Sequence, residues 1–188
     1  MTQKNVLKLF SSTLLAFLFF INLSNTIIAQ HLNHNSENKF LKVLIDGNER
    51  FVSNNLSSKD YKKELQEVIK GQHPYAIIVS CSDSRVPPEI IFDESIGKLF
   101  IIRVAGNVID PVTLGSIEYA AEHLHAPLLM VLGHESCGAV NATIAGGETT
   151  PNIEEIIKRI EPSVEKAKHF KEHSHLSDLS IEQNVKDQ

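Results

Sequence analysis

The sequence predicts an α/β fold: a mainly parallel β-sheet flanked by helices, with an N-terminal helical arm. Three short apolar runs of strand length predict it, Tyr75–Ser80, Leu99–Val104 and Leu128–Leu132. Each run is continuously apolar rather than alternating, the pattern of a strand covered on both faces. Stretches with helical spacing separate them, as parallel pairing requires. A chain of 188 residues suffices for one domain with a single core, and no internal repeat interrupts it.

The first thirty residues are of a different kind. Lys4 and Lys8 precede the apolar run Leu14–Ile21, and the small Ala29 stands before Gln30. A basic start, a short apolar middle and a small-residue exit describe a secretory signal peptide over residues 1–29. The run is short of the roughly 20 apolar residues that cross a bilayer. The expected mature chain is therefore periplasmic or secreted, with no stable membrane span after processing. It starts with a polar, flexible segment over 30–37 and continues as one domain over 38–188. The formal charge of −5 lacks the basic footprint of a nucleic-acid binder, so none is expected.

Within the domain, Phe40, Leu41, Leu44, Ile45, Asn48, Phe51 and Val52 recur at helical spacing. Gly47 weakens that helix by about 1 kcal/mol relative to alanine. A second helical stretch near Tyr61–Lys70 ends at Gly71. Between the second and third strands, Leu114, Ile117, Ala121 and Leu124 set a helix over Val112–Leu124, with Asp110-Pro111 as its start signal. After the third strand come a helix over Gly138–Ile144, a Gly146-Gly147 turn, a charged helix over Ile153–Phe170, and a polar end to which no element is assigned.

In parallel α/β sheets, ligands gather beyond the carboxyl ends of strands. The first strand runs into Cys81-Ser-Asp-Ser-Arg85 and the third into Gly133-His-Glu-Ser-Cys-Gly138. Cys81, His134 and Cys137 would supply two thiolates and one imidazole, leaving a fourth tetrahedral position free. Three protein ligands with an open position are the pattern of a catalytic zinc site, whereas structural sites are closed by four. Two other readings stand beside this one. The two cysteines of an exported chain can form a disulfide, and a cysteine can act as a nucleophile beside His134. Asp83 and Arg85 stand two apart at a strand end. They can form a fixed pair beside a metal-bound water or an ordinary surface ion pair.

Cys81-Ser-Asp-Ser-Arg85 together with Gly133-His-Glu-Ser-Cys-Gly138 resembles the paired signature of β-class carbonic anhydrases. Leu44-Ile-Asp-Gly-Asn-Glu-Arg-Phe51, Arg103-Val-Ala-Gly-Asn107 and Ser116-Ile-Glu-Tyr-Ala120 extend the likeness, from about Phe40 to about Gly147. The resemblance implies one Zn2+ per subunit on Cys81, His134 and Cys137, with Asp83 and Arg85 as the catalytic dyad beside it. It implies that Gln72 helps to place the substrate. The implied reaction is reversible hydration of carbon dioxide to bicarbonate and a proton, by attack of a zinc-bound hydroxide. The implied assembly is a homodimer or higher homo-oligomer, in which the N-terminal helix crosses onto the partner. In a bicarbonate-inhibited subgroup a tryptophan helps to hold the inhibitor; this chain has none, and a constitutively open site is expected.

Family members usually continue for several tens of residues, adding a helix and a strand beside the third. The expectation is thus a C-terminally incomplete domain, less stable than a full-length relative. Two alternatives follow: hydrolysis of carbon disulfide or carbonyl sulfide on the same ligands, and a non-catalytic zinc-binding or disulfide-bonded remnant.

Overall fold

The computed structural model describes residues 39–169 and 175–188. The signal peptide expected over 1–29 and the flexible start over 30–37 lie outside the described residues. The architecture is a three-stranded sheet covered by helices, with strands β1 (Ala76–Ser80), β2 (Leu99–Arg103) and β3 (Leu128–Leu132). Their order is β2-β1-β3 and both pairings are parallel. Every residue of β1 is buried, because it has a neighbour on each side and helices above and below. That is why its sequence, Ala-Ile-Ile-Val-Ser, shows no alternation.

The pleat nevertheless sorts the side chains. Ile77 and Val79 face α4 (Pro111–Glu122), packing with Ile117, Ala120 and Ala126. Ala76 and Ile78 face the other way, toward Leu44 of α1 (39–52) and Phe92. Asp110 caps α4 by accepting from the Thr113 amide at 2.7 Å, and Pro111 occupies the first turn, where its missing amide is harmless.

Helix α1 meets the end of α3 (Pro88–Ile91), where Asn48 donates to the Ile91 carbonyl at 3.1 Å. Leu44 is its fully buried apolar anchor, while Ile45, Phe51 and Val52 of the predicted stripe are exposed. Helix α2 (Tyr61–Glu67) gives way to a turn over 68–70, before Gly71.

A third apolar cluster lies past the carboxyl ends of the strands. Cys81, Val108, Cys137, Val140, Ile160, Val164 and Ile181 form it. Three helices supply most of its wall: α5 (Gly138–Ala145), α6 (Pro151–Lys168) and α7 (Leu176–Asp187). The sequence reading assigned no element to the last of these. Among the described residues, no helix is long and apolar enough to cross a membrane.

Candidate metal centre

The register of the sheet builds the site. Ser80 pairs with Leu132 across β1 and β3, so Cys81 and Gly133-His134 leave the sheet side by side. Cys137 then caps the start of α5 three residues after His134. Donor atoms of Cys81, His134 and Cys137 all lie within 4.8 Å of one another. Both cysteines are buried free thiols, so the disulfide reading finds no support in this geometry.

His134 is oriented for coordination. Its Nδ1 lies 2.9 Å from the Glu135 carbonyl oxygen, which can only accept, so Nδ1 is the protonated nitrogen. That leaves Nε2 as a bare lone pair, and it is buried with no hydrogen-bond partner. A buried polar atom without a partner is costly unless something else satisfies it. Two thiols and one imidazole converge on a shared space, a donor set suited to a borderline-soft divalent ion. The residues therefore fit a metal ion.

The thiol pair is electrostatically asymmetric. The neighbouring Cys137 thiol holds Cys81 well below the ordinary thiol range, aided by backbone amides. Cys81 in turn pushes Cys137 up, and burial adds to this. One thiolate thus forms readily, and a cation would favour the second. The Gly106 amide donates to Cys81 Sγ at 3.3 Å. Arg103 reaches over from the end of β2, donating from Nε to the Cys81 carbonyl at 3.0 Å and from Nη2 to the Asp83 carbonyl.

Asp83 and Arg85 form a bidentate pair at 2.9 and 2.8 Å, and the Arg85 amide donates to the same carboxylate at 2.9 Å. The Arg85 guanidinium holds the Asp83 carboxyl well below the usual carboxylate range. Arg85 also donates to the Ser136 carbonyl at 3.3 Å, which ties the dyad to the loop between His134 and Cys137. Asp83 Oδ2 lies 3.9 Å from His134 Nε2, so the carboxylate borders the donor cluster.

Gln72 is placed differently. It is exposed ahead of the amino end of β1, whereas Cys81 follows the carboxyl end. A five-residue strand, rising about 3.3 Å per residue, separates the two. The cavity of about 520 Å³ bordered by Ser57, Lys59, Asp93 and Leu99 includes none of the candidate residues. Sequence reasoning gave no role to Arg103 or Gly106, which bond Cys81, or to Asn184, which bonds the Gly106 carbonyl. Position after the second strand was a usable signal for the first two; Asn184 had none.

Residues 76–188 match the family model described as carbonic anhydrase. Over 131 residues the chain is 47% identical to carbonic anhydrase 2 of Mycobacterium tuberculosis (strain CDC 1551 / Oshkosh), covering 65% of this chain and 62% of the relative. Over 128 residues it is 44% identical to a carbonic anhydrase of Mycolicibacterium smegmatis, with the same coverages of 65% and 62%. The chain thus spans under two thirds of the length of these relatives. Among solved structures it resembles the Coccomyxa β-carbonic anhydrase in complex with acetazolamide, at 28% identity and a TM-score of 0.62. That match covers 68% of this chain and 60% of the other. With a parallel sheet, a Cys-His-Cys cluster at its carboxyl edge and these likenesses, the chain belongs to the β-class carbonic anhydrases.

Proposed function

We propose that this chain catalyses the reversible hydration of carbon dioxide to bicarbonate and a proton, with Zn2+ held by Cys81, His134 and Cys137. One observation carries the reading: a buried, partnerless His134 Nε2 shares a space with two thiols, beside an aspartate locked by an arginine. When bound, zinc supplies a Lewis acid that lowers the pKa of water toward about 7.

The protein's own part is orientation. The Arg85 fork keeps Asp83 ionised, so the carboxylate stays a hydrogen-bond acceptor at neutral pH. Its Oδ2, which borders the donor cluster, would accept the hydrogen of the attacking water and so turn an oxygen lone pair toward carbon dioxide. Arg85 cannot swing away freely, because Ser136 accepts a further bond from it.

Zinc content and carbon dioxide hydration test the proposal. Wild type is expected to hold one zinc per subunit and to be active, while Cys81→Ser loses both. Arg85→Ala is expected to keep its zinc and to lose about 100-fold in rate, since a misplaced Asp83 spoils geometry rather than binding. Wild-type protein without zinc, or full activity in Cys81→Ser, would sink the reading.

A substrate-placing role for Gln72 requires a second chain, because in its own chain it stands at the opposite end of β1. That role would go with a homodimer or higher homo-oligomer whose partner helps to bind substrate. The lysines, apolar run and Ala29 near the start of the chain support export, and amino-terminal sequencing that begins near Gln30 would bear it out; a mature protein beginning at Met1 would not.

A further inference from the structure

Helix α7 touches both strand ends that carry the candidate ligands. Ile181 shares an apolar cluster with Cys81 and Cys137. A Cβ on Gly133, the residue before His134, would lie 2.5 Å from Val185 Cγ2, so α7 lies directly against that backbone. Asn184 is 1% exposed, and its Nδ2 donates to the Gly106 carbonyl at 2.8 Å. Gly106 is the residue whose amide donates to Cys81 Sγ at 3.3 Å.

Gly106 has φ +66, in the left-handed region, and a Cβ there would come within 2.7 Å of Ile160 Cδ1. Glycine is the residue that accepts both conditions, but glycine is also the residue freest to rotate. Its amide and its carbonyl belong to two peptide planes joined at one Cα. Clamping the carbonyl restricts that rotation and so fixes the direction of the amide. The Asn184 carboxamide is itself held, because Gln188 Nε2 donates to its Oδ1 at 3.1 Å.

We infer that Asn184 is a positioning residue for the metal-binding thiolate: it fixes Gly106 so that the Gly106 amide stays on Cys81 Sγ. The inference rests on the zinc reading of the site. Its chemistry is that of a hydrogen bond to a ligand atom, which orients the thiolate and stabilises its charge. Removal of such a support lowers metal affinity by typically 10–100-fold.

The test uses the full chain and compares three variants. Zinc Kd is measured by competition with a chromophoric chelator, and the thiolate-to-cobalt absorption band is recorded after Co2+ loading. Asn184→Ala is expected to raise the zinc Kd at least about tenfold and to shift the cobalt band. Asp187→Ala serves as the control: it frees α7 from Ser163 and Lys166 on α6 without touching Gly106. That variant is expected to lower the melting temperature while leaving Kd and band unchanged. Gln188→Ala, which loosens the carboxamide and also frees the Ile109 amide that donates to Gln188 Oε1 at 2.6 Å, is expected to weaken zinc binding less than Asn184→Ala but more than Asp187→Ala.

Unchanged affinity in Asn184→Ala, or equal losses in Asn184→Ala and Asp187→Ala, would overturn the inference. If Asn184→Ala does not fold, Asn184→Leu, which fills the same space without the donor to Gly106, is set against Asp187→Ala: a selective loss in Asn184→Leu supports the inference, and equal values overturn it. Wild-type protein that takes up no zinc would overturn the functional reading itself, a distinct result.

Discussion

Asp93 keeps its charge although its side chain is only 2% exposed, and the reason is the number of donors that meet it. Arg50 Nε, Lys59 Nζ and both the amide and hydroxyl of Ser57 donate to the one carboxylate. Burial alone would raise its pKa, but these donors win and hold it well below the ordinary 3.8. A carboxyl depressed in the folded state contributes stability that is full above its unfolded pKa and is lost as pH falls through its folded value. Asp93→Asn is therefore expected to cost about 3 kcal/mol near pH 7, as removal of one partner from a buried ion pair does. The gap between wild type and variant in urea midpoint should narrow steadily below about pH 4. A gap that stays constant down to pH 2 would show that Asp93 is not held ionised by this network. Nothing in sequence singled out Asp93, because its donors lie 34 to 43 positions away. Asp83 and Arg85 were legible for the opposite reason: two residues apart at a strand end, they had few other partners to choose.

At the scale of elements, periodicity located helices well and faces poorly. The spacing from Phe40 to Val52 correctly marks a helix over 39–52, yet Val52 is 76% exposed and Leu44 fully buried. What seats α1 is instead a backbone approach. A Cβ on Gly47 would lie 1.9 Å from the Phe92 carbonyl oxygen, a distance no packing adjustment of a side chain relieves. Helix propensity alone says that Gly47→Ala gains about 1 kcal/mol. The close approach reverses the sign, since α1 must move off the carbonyl and strain Asn48 and Arg50, which bond the same segment. A net loss of about 1–3 kcal/mol is expected, the range for overpacking, read as a lower urea midpoint at unchanged m. An alanine variant more stable than wild type would refute the close approach. Helix α7 escaped the sequence reading because most of it is polar and only Ser180, Ile181 and Asn184 are buried, too few to register as a stripe.

Over the whole molecule, the candidate ligands are part of the core rather than fittings on its surface. Cys81 and Cys137 are 5% and 2% exposed and share their cluster with residues from α5, α6 and α7. The strand ends carrying them could be read from sequence, because a continuous apolar run stops where the sheet stops. The order β2-β1-β3 could not, since three apolar strands of equal length fit several parallel orders and only tertiary packing chooses. This placement couples metal binding to folding. A ligand that binds only the native state stabilises it by about 4.1 kcal/mol when its free concentration is 1,000 times Kd. Each kcal/mol raises the melting temperature of a chain of this size by about 2–4 °C, so zinc at that excess should raise it by about 8–16 °C. The same chain with its zinc removed by chelator should melt lower by that amount, and added zinc should restore it. Cys81→Ser should melt at one temperature in both conditions, because the coupling runs through the ligand set and not through nonspecific ion effects. Equal melting temperatures for wild type with zinc and with chelator would show that the ion does not bind the native core through these residues.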